Sequence, residues 1–366
     1  MTSTSIEVRS DALRIRFDDG HVADFHWFWL RRQCAHERHP RTGEPTLCPS
    51  RVPLDVRPEA AWLEEEQLAV RWGELRPPSL YALAWLRAHA YGRADAPPPP
   101  RDVARYEVAV RASDGSLPDD WRERLARDGA FIARGAPAWA SPAQTERWID
   151  ELEGRGLRLV ETHFGRVEDL RTDNTTNRNT DQLGYTDAAI DLHTDQPFIE
   201  APPRYQLLHA VRSAERGGDS LLADGWAAAA WLRAQDEETY EQLTETPVRF
   251  HRRQRQFESV VEAPILAVSD DGSIHVRASY FTLAPCALPF SRQRAFHRAY
   301  ARWVALLEEF HVRTRLEPGD LLLYDNHRML HGRASFEGAR WVRGVYFDRV
   351  EHHDDGTVTT MDPSTA

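Results

Sequence analysis

An imidazole and a carboxylate stand two residues apart at His193 and Asp195, within Leu192-His193-Thr194-Asp195. Residues two apart in an extended segment point to the same face, so both side chains can converge on one ion. Two histidines and one carboxylate on one face suit a non-haem iron(II) oxygenase, because the other positions stay open for a co-substrate and oxygen. A third ligand is therefore required. The His-x-Asp triplet alone is weak, since a chain this rich in both residue types should hold about one by chance. A second triplet, His352-His353-Asp354, lies in a polar stretch near the C-terminus with no downstream strand or histidine, and it reads as solvated tail.

The context downstream lifts His193 above chance. Pro318-Gly319-Asp320 forms a turn into the apolar segment Leu321 to Asp325, followed by Asn326, Arg328 and then Leu330-His331-Gly332-Arg333. A short turn leads into Arg340-Trp341-Val342-Arg343-Gly344-Val345-Tyr346. If these last two segments pair as antiparallel strands, His331 and an arginine face one cavity. That arrangement suits 2-oxoglutarate, whose keto acid end chelates the metal while its distal carboxylate meets a guanidinium fork. Arg343 is the rival to Arg340, but its odd parity turns it to the other face of a regular strand.

The elements that must position these groups are mostly strands. Alternation in Leu13 to Phe17 and Leu68 to Trp72, with a turn signal at Asp19-Gly20, predicts a small β-rich N-terminal domain. The proline run in Gly92 to Arg101 forces extended geometry and marks a linker. We therefore expect a small domain over residues 1–95, a linker over 96–101, a catalytic domain over 102–352 and a polar tail over 353–366. Ser141-Pro142 followed by Gln144 predicts a helix to about Gly154, opened by a capping box. Phe296, Tyr300, Trp303, Leu307 and Phe310 recur at helical spacing, and a core-facing helix explains them. One more helix is expected over Gly225 to Leu243.

Composition narrows the function. A net charge of −11 argues against nucleic acid as a partner, because phosphate neutralisation needs a basic face. A small-molecule substrate is favoured instead. The three cysteines, Cys34, Cys48 and Cys286, lack the pattern of a disulfide framework, and no apolar run has the length of a signal or membrane segment. The expectation is a cytoplasmic protein.

The stretches LHTDQPFIEAPPRYQLLHAV, GGDSLLADG, YDNHRMLHGRASF and RWVRGVYFD, preceded by FDDGH, FHWFWLRRQC and HPRTGEPTL, closely resemble the γ-butyrobetaine and trimethyllysine hydroxylase branch of the taurine dioxygenase superfamily. The resemblance implies a mainly β fold with flanking helices, in which a double-stranded β-helix, or jelly roll, carries catalysis beside a small N-terminal domain. It implies Fe(II) on His193, Asp195 and His331, with 2-oxoglutarate and O2 as co-substrates and Arg340 on the distal carboxylate. Leu208 and Gln182 fall where the family packs and hydrogen-bonds the co-substrate. It also implies a pocket for a quaternary ammonium, caged by aromatic faces. Phe164, Tyr185 and Tyr346 fall at cage positions, whereas Glu168 stands in place of a tryptophan and would suit an amine or guanidinium. The segment Ser279 to Thr282 departs from the asparagine-bearing one that receives the substrate carboxylate. Relatives of this kind are often homodimers, and a homodimer is the expectation here.

Many relatives also carry a zinc site in the N-terminal domain. Cys34, His36 and His39 occupy three of its places, but no histidine stands in the fourth, which reads WGELRPPS. Two other classes compete with the oxygenase reading. A zinc hydrolase on the same His and Asp residues predicts activity without oxygen or 2-oxoglutarate, and leaves Arg340 unexplained. A non-catalytic jelly roll binding a small ligand would lack a triad residue, and none is missing.

Overall fold

The computed structural model describes residues 4–73, 75, 77–90, 117–173, 182–269, 272–285 and 288–349. The expected linker, the C-terminal tail and Cys286 lie outside the described residues. The N-terminal part contains two three-stranded sheets: β1 (Ser5–Val8), β2 (Ala12–Arg16) and β3 (Val22–His26) form one, and β4 (Ala60–Glu64), β5 (Gln67–Arg71) and β6 (Ser79–Ala82) the other. Strand β2 buries Leu13 and Ile15 while Arg14 and Arg16 alternate outward, so the period of two in the sequence becomes a core face. Gly20 makes the turn into β3 at φ 85°, where a side chain would be strained. Two short helices, α1 (Trp27–Arg32) and α2 (Leu83–Ala88), close the unit, and Trp27, Trp29 and Trp72 fill its core.

The remainder is dominated by strands: β7 (Ala130–Ala133), β8 (Leu157–Val160), β9 (Glu168–Arg171), β10 (Ile190–His193), β11 (Tyr205–Arg212), β12 (Arg216–Gly217), β13 (Ser220–Asp224), β14 (Val248–Arg253), β15 (Glu258–Ala263), β16 (Leu266–Val268), β17 (Ile274–Val276), β18 (Val312–Thr314), β19 (Leu321–Asp325), β20 (Met329–Arg333), β21 (Phe336–Glu337) and β22 (Trp341–Arg349). Two antiparallel sheets matter for the site. The smaller runs β10-β20-β13-β18. The larger runs β7-β19-β11-β22, with β8 and β9 both on the far side of β22. Flanking helices are α3 (Trp121–Asp128), α4 (Pro142–Gly154), α5 (Gly225–Gln235), α6 (Glu237–Glu245) and α7 (Phe290–Phe310). The predicted stripe on α7 does face the core: Phe296, Tyr300, Trp303 and Leu307 are buried, in one cluster with Tyr240 and Leu243 of α6. No helix among the described residues is long and apolar enough to cross a membrane.

Three expectations need correction. The single helix over Gly225 to Leu243 is two helices, broken at Asp236, whose side chain accepts from the Thr239 N–H and caps the second. The helix from Pro142 starts where predicted, but Ser141 makes no side-chain cap bond; its carbonyl takes the Gln144 N–H instead. Most important, the segments containing His331 and Arg340 do not pair. Strand β20 is held by β10 and β13 in the small sheet, whereas β22 is held by β11, β8 and β9 in the large one. The histidine and the arginine still meet one cavity, because it lies between the two sheets.

Candidate metal centre and substrate cavity

Strand pairing brings the histidines together. His193 sits directly opposite His331 in the β10–β20 ladder, and directly opposed residues share a face. Their rings lie 4.2 Å apart between centroids. Asp195, two residues on from His193 and just past the strand end, completes the group: its Oδ1 is 3.3 Å from His193 Nε2 and its Oδ2 is 3.9 Å from His331 Nε2. Among the described residues these three form the one group of three or more His, Cys, Asp or Glu whose ligand atoms all lie within 4.8 Å of one another.

The surroundings hold the three groups in ligand form. The Nδ1 of His193 lies 2.9 Å from the Asp191 carbonyl, which fixes that nitrogen as the donor and frees Nε2. Burial, reinforced by His193, pushes the His331 imidazole down to about 3, against the raising effect of Asp195. Burial alone would raise the Asp195 carboxyl, but His331, His193 and the Tyr346 hydroxyl outweigh it and hold the group below the usual carboxylate range. Asn326 clamps the Asp195 backbone from both sides, accepting its N–H at 2.8 Å and donating to its carbonyl at 3.0 Å. Two imidazoles and a carboxylate on one face are the donor set that a ferrous ion takes with open positions left over.

A row of cross-strand partners in the large sheet supports the carboxylate. Tyr324, Gln206 and Tyr346 lie abreast on β19, β11 and β22. Gln206 and Tyr346 both donate to Asp195 Oδ2, at 2.7 and 2.6 Å, and Tyr324 donates to the Gln206 carbonyl oxygen. In the next inward-facing row along, Leu208, Gly344 and Glu168, the leucine and the glutamate line the cavity. Residues of odd parity face away: Arg343 bonds Asp169 and the Pro142 carbonyl. Arg340 lies on the cavity side, its guanidinium over the Phe336 ring at 5.6 Å, with burial pushing it down to about 10 and no ion pair to it among the described residues. An arginine so placed lacks the carboxylate that buried arginines normally carry.

At the other end of the cavity Glu168 is only 3% exposed. Its Oε1 accepts from both the Tyr185 hydroxyl, at 2.9 Å, and the Gln182 amide. Burial and the nearby Asp195 push its carboxyl up to about 8, against the lowering effect of Tyr185, Arg252 and Gln182. The carbonyl oxygen of Gln182 accepts from Arg252 at 2.9 Å, and Arg252 is ion-paired with Glu44, a residue of the N-terminal part, whose other oxygen takes the Leu183 N–H. One chain of contacts thus runs from the N-terminal HPRTGE segment to the wall of the cavity.

Of the residues singled out from sequence, Phe164, Glu168, Gln182, His193, Asp195, Leu208, His331, Arg340 and Tyr346 line one cavity. Tyr185 does not; it stands behind Glu168, and the hydroxyl of Tyr346 is committed to Asp195. Phe164 and Tyr346 share that lining with Glu168. The zinc trio does not converge either. Cys34 is hydrogen-bonded with Ser79 at 2.8 Å, His36 is exposed beside the Pro78 carbonyl, and His39 accepts from the Thr42 N–H. Sequence reasoning missed Gln206, Arg252 and Glu44. The parity of β11 would have found Gln206, two residues before Leu208, but nothing local joins Glu44 to Arg252, 208 positions away.

Comparison with known proteins places this geometry. Residues 95–346 match the model of the taurine catabolism dioxygenase TauD, TfdA family. The chain belongs to that family. Residues 4–87 match the γ-butyrobetaine hydroxylase-like N-terminal family. A γ-butyrobetaine dioxygenase of Pseudomonas sp. (strain AK-1) is 30% identical over 363 residues, 93% of this chain and 92% of its own. A trimethyllysine dioxygenase of Meyerozyma guilliermondii is 25% identical over 374 residues, 93% of this chain and 91% of its own. Among solved structures, an asparagine oxygenase in complex with Fe(II), 2S,3S-3-hydroxyasparagine and succinate is similar at a TM-score of 0.48, with 19% identity over 63% of this chain and 79% of that one. Membership decides for the oxygenase reading over the hydrolase and the non-catalytic binder: this is a dioxygenase that works with iron(II) and 2-oxoglutarate.

Proposed function

We propose that this chain hydroxylates an unactivated C–H bond of a small cationic substrate, with His193, Asp195 and His331 as iron ligands, Arg340 as the anchor of 2-oxoglutarate and Glu168 as the acceptor of the substrate cation. The observation that carries the reading is the convergence of the three ligand atoms on the cavity that also holds an arginine without an acidic partner. Iron(II) held there, with 2-oxoglutarate and dioxygen, supplies oxidation of the C–H bond coupled to release of succinate and carbon dioxide. The chain's own part is positioning. Gln206 and Tyr346 occupy Asp195 Oδ2, which leaves Oδ1 for the metal. Arg340 offers a planar two-donor fork to a carboxylate. The apolar walls of Phe164, Leu170, Phe198, Leu208 and Phe281 exclude water and set which hydrogen comes nearest the oxidant. A buried carboxylate opposite them calls for a positive partner, which the substrate brings.

The two facing sheets support a jelly-roll catalytic domain over 102–352 beside an N-terminal domain over 1–95. The proposal extends to a homodimer, which analytical ultracentrifugation reads directly. Replacing His193 or Asp195 by alanine should abolish substrate-dependent succinate release in an assay supplied with iron and 2-oxoglutarate; unimpaired turnover in either variant refutes the ligand assignment.

A further inference from the structure

Strand β14 alternates, with Val248, Phe250 and Arg252 buried and Arg249 and Arg253 exposed, so Arg252 stands at a core-facing position. A guanidinium placed there needs a carboxylate partner. Two carboxylates flank it. Glu44 is ion-paired with it, and Glu168 lies one carboxamide away, because Gln182 accepts from Arg252 with its oxygen and donates to Glu168 with its nitrogen. The charge of Arg252 already draws the Glu168 carboxyl towards ionisation, together with Tyr185 and Gln182, while burial and Asp195 oppose it.

Glu44 keeps the guanidinium because its own place is fixed. Arg38 and Pro45 pair across a turn in which the His39 N–H donates to the Glu44 carbonyl at 2.9 Å and the Gly43 N–H to the His39 carbonyl at 2.8 Å. Gly43, at φ 73°, permits that turn. Arg41 donates to the Tyr185 carbonyl at 2.8 Å, and the second Glu44 oxygen takes the Leu183 N–H. Two side chains thus pin the N-terminal turn to the short 3-10 turn Leu183–Tyr185, and Glu44 meets Arg252 in one geometry. Were Arg252 paired with Glu168 instead, the cavity wall would be neutral within itself and would hold no charge for a substrate cation. Glu44 prevents that pairing by occupying Arg252 Nη1.

Resting on the reading of Glu168 as the cation acceptor, we propose that Glu44 determines specificity through Arg252: it withholds the guanidinium from Glu168, so a residue of the N-terminal part decides whether the cavity offers a carboxylate without a cation. Glu44 is not in the cavity lining and acts as a positioning residue.

The test uses the full chain with iron(II) and 2-oxoglutarate, kept anaerobic. Infrared difference spectra taken across pH follow the carboxyl band that Glu168→Gln removes. In Glu44→Gln the ionisation midpoint of that band should fall by about one pH unit or more, a tenfold change in the ionisation constant, because Arg252 moves onto Glu168. A crystal structure of the same variant should show the two side chains paired. In the double variant Glu44→Gln/Arg252→Gln, which leaves neither member of the buried pair alone, the midpoint should return to the wild-type value or rise above it. A role in stability alone moves neither midpoint. An unchanged midpoint in Glu44→Gln, Arg252 still on Gln182 in its crystal structure, or a double variant below the wild-type value would each overturn the proposal. Succinate release with the same substrate KM in Glu168→Gln as in the wild type would instead sink the cation-acceptor reading, whatever Arg252 does.

Discussion

The metal end and the recognition end of the cavity are built differently. At the metal end, both sides of the Asp195 backbone and one of its carboxylate oxygens are already engaged, by Asn326, Gln206 and Tyr346, and the ligands come from a ladder in which His193 faces His331. At the recognition end, charged groups from three distant parts of the chain, Glu44, Glu168 and Arg252, are tied together through Gln182, while Gln196, Ser279 and the Arg252 Nε stay unpartnered. On the proposed reading, the carboxylate of the metal end is held in advance, whereas the recognition surface is completed by its ligand.

The comparison can be broken most severely through Glu44. Its pairing with Arg252 is buried, at 9% and 5% side-chain exposure, and leaving one member of such a pair alone costs about 3 kcal/mol. Glu44→Gln should therefore lower stability by about that much in a urea titration and raise the substrate KM, with the 2-oxoglutarate KM little changed. Equal damage to both constants would mean that the ends are not separate. Arg340→Ala probes the opposite end: it should raise the 2-oxoglutarate requirement on the order of 10- to 100-fold, as loss of a two-donor bond to a carboxylate does. Arg343→Ala should not, because Arg343 is spent on Asp169 and Pro142; the reverse pattern would exchange their roles. A third probe is the pH dependence. Below pH 8 the empty site holds Glu168 largely as the neutral acid, so binding a cation there expels a proton; above it the carboxylate is already formed. Substrate affinity should rise with pH by up to about tenfold per unit until near pH 8 and then level off. In Glu168→Gln this dependence should vanish, and its persistence would place the titrating group elsewhere.

The same contrast explains what could be read from the chain. That His193 and Asp195 share a face was legible because period-two geometry makes parity a statement about direction; Arg340 came from the resemblance, and parity turned Arg343 to the other face. His331 was legible from its motif, although its pairing was not: the sequence suggested β22 as its neighbour, and the structure gives β10 and β13. Which strands pair is fixed by contacts far apart in sequence, which local pattern does not encode. The break at Asp236 was missed because an alanine-rich run hides a capping residue inside it. The recognition end was least legible. Glu168 stood out by its type, yet its partners Gln182, Tyr185 and Arg252 became visible only once β9, β14 and the segment before β10 were folded onto one another.

Anaerobic titration of the metal-free protein with ferrous ion, in the presence of 2-oxoglutarate, tests the central claim most directly. One ion per chain should bind to the wild-type protein, with loss of that binding in both Asp195→Ala and His331→Ala. Full stoichiometry and unchanged affinity in either variant would contradict the account.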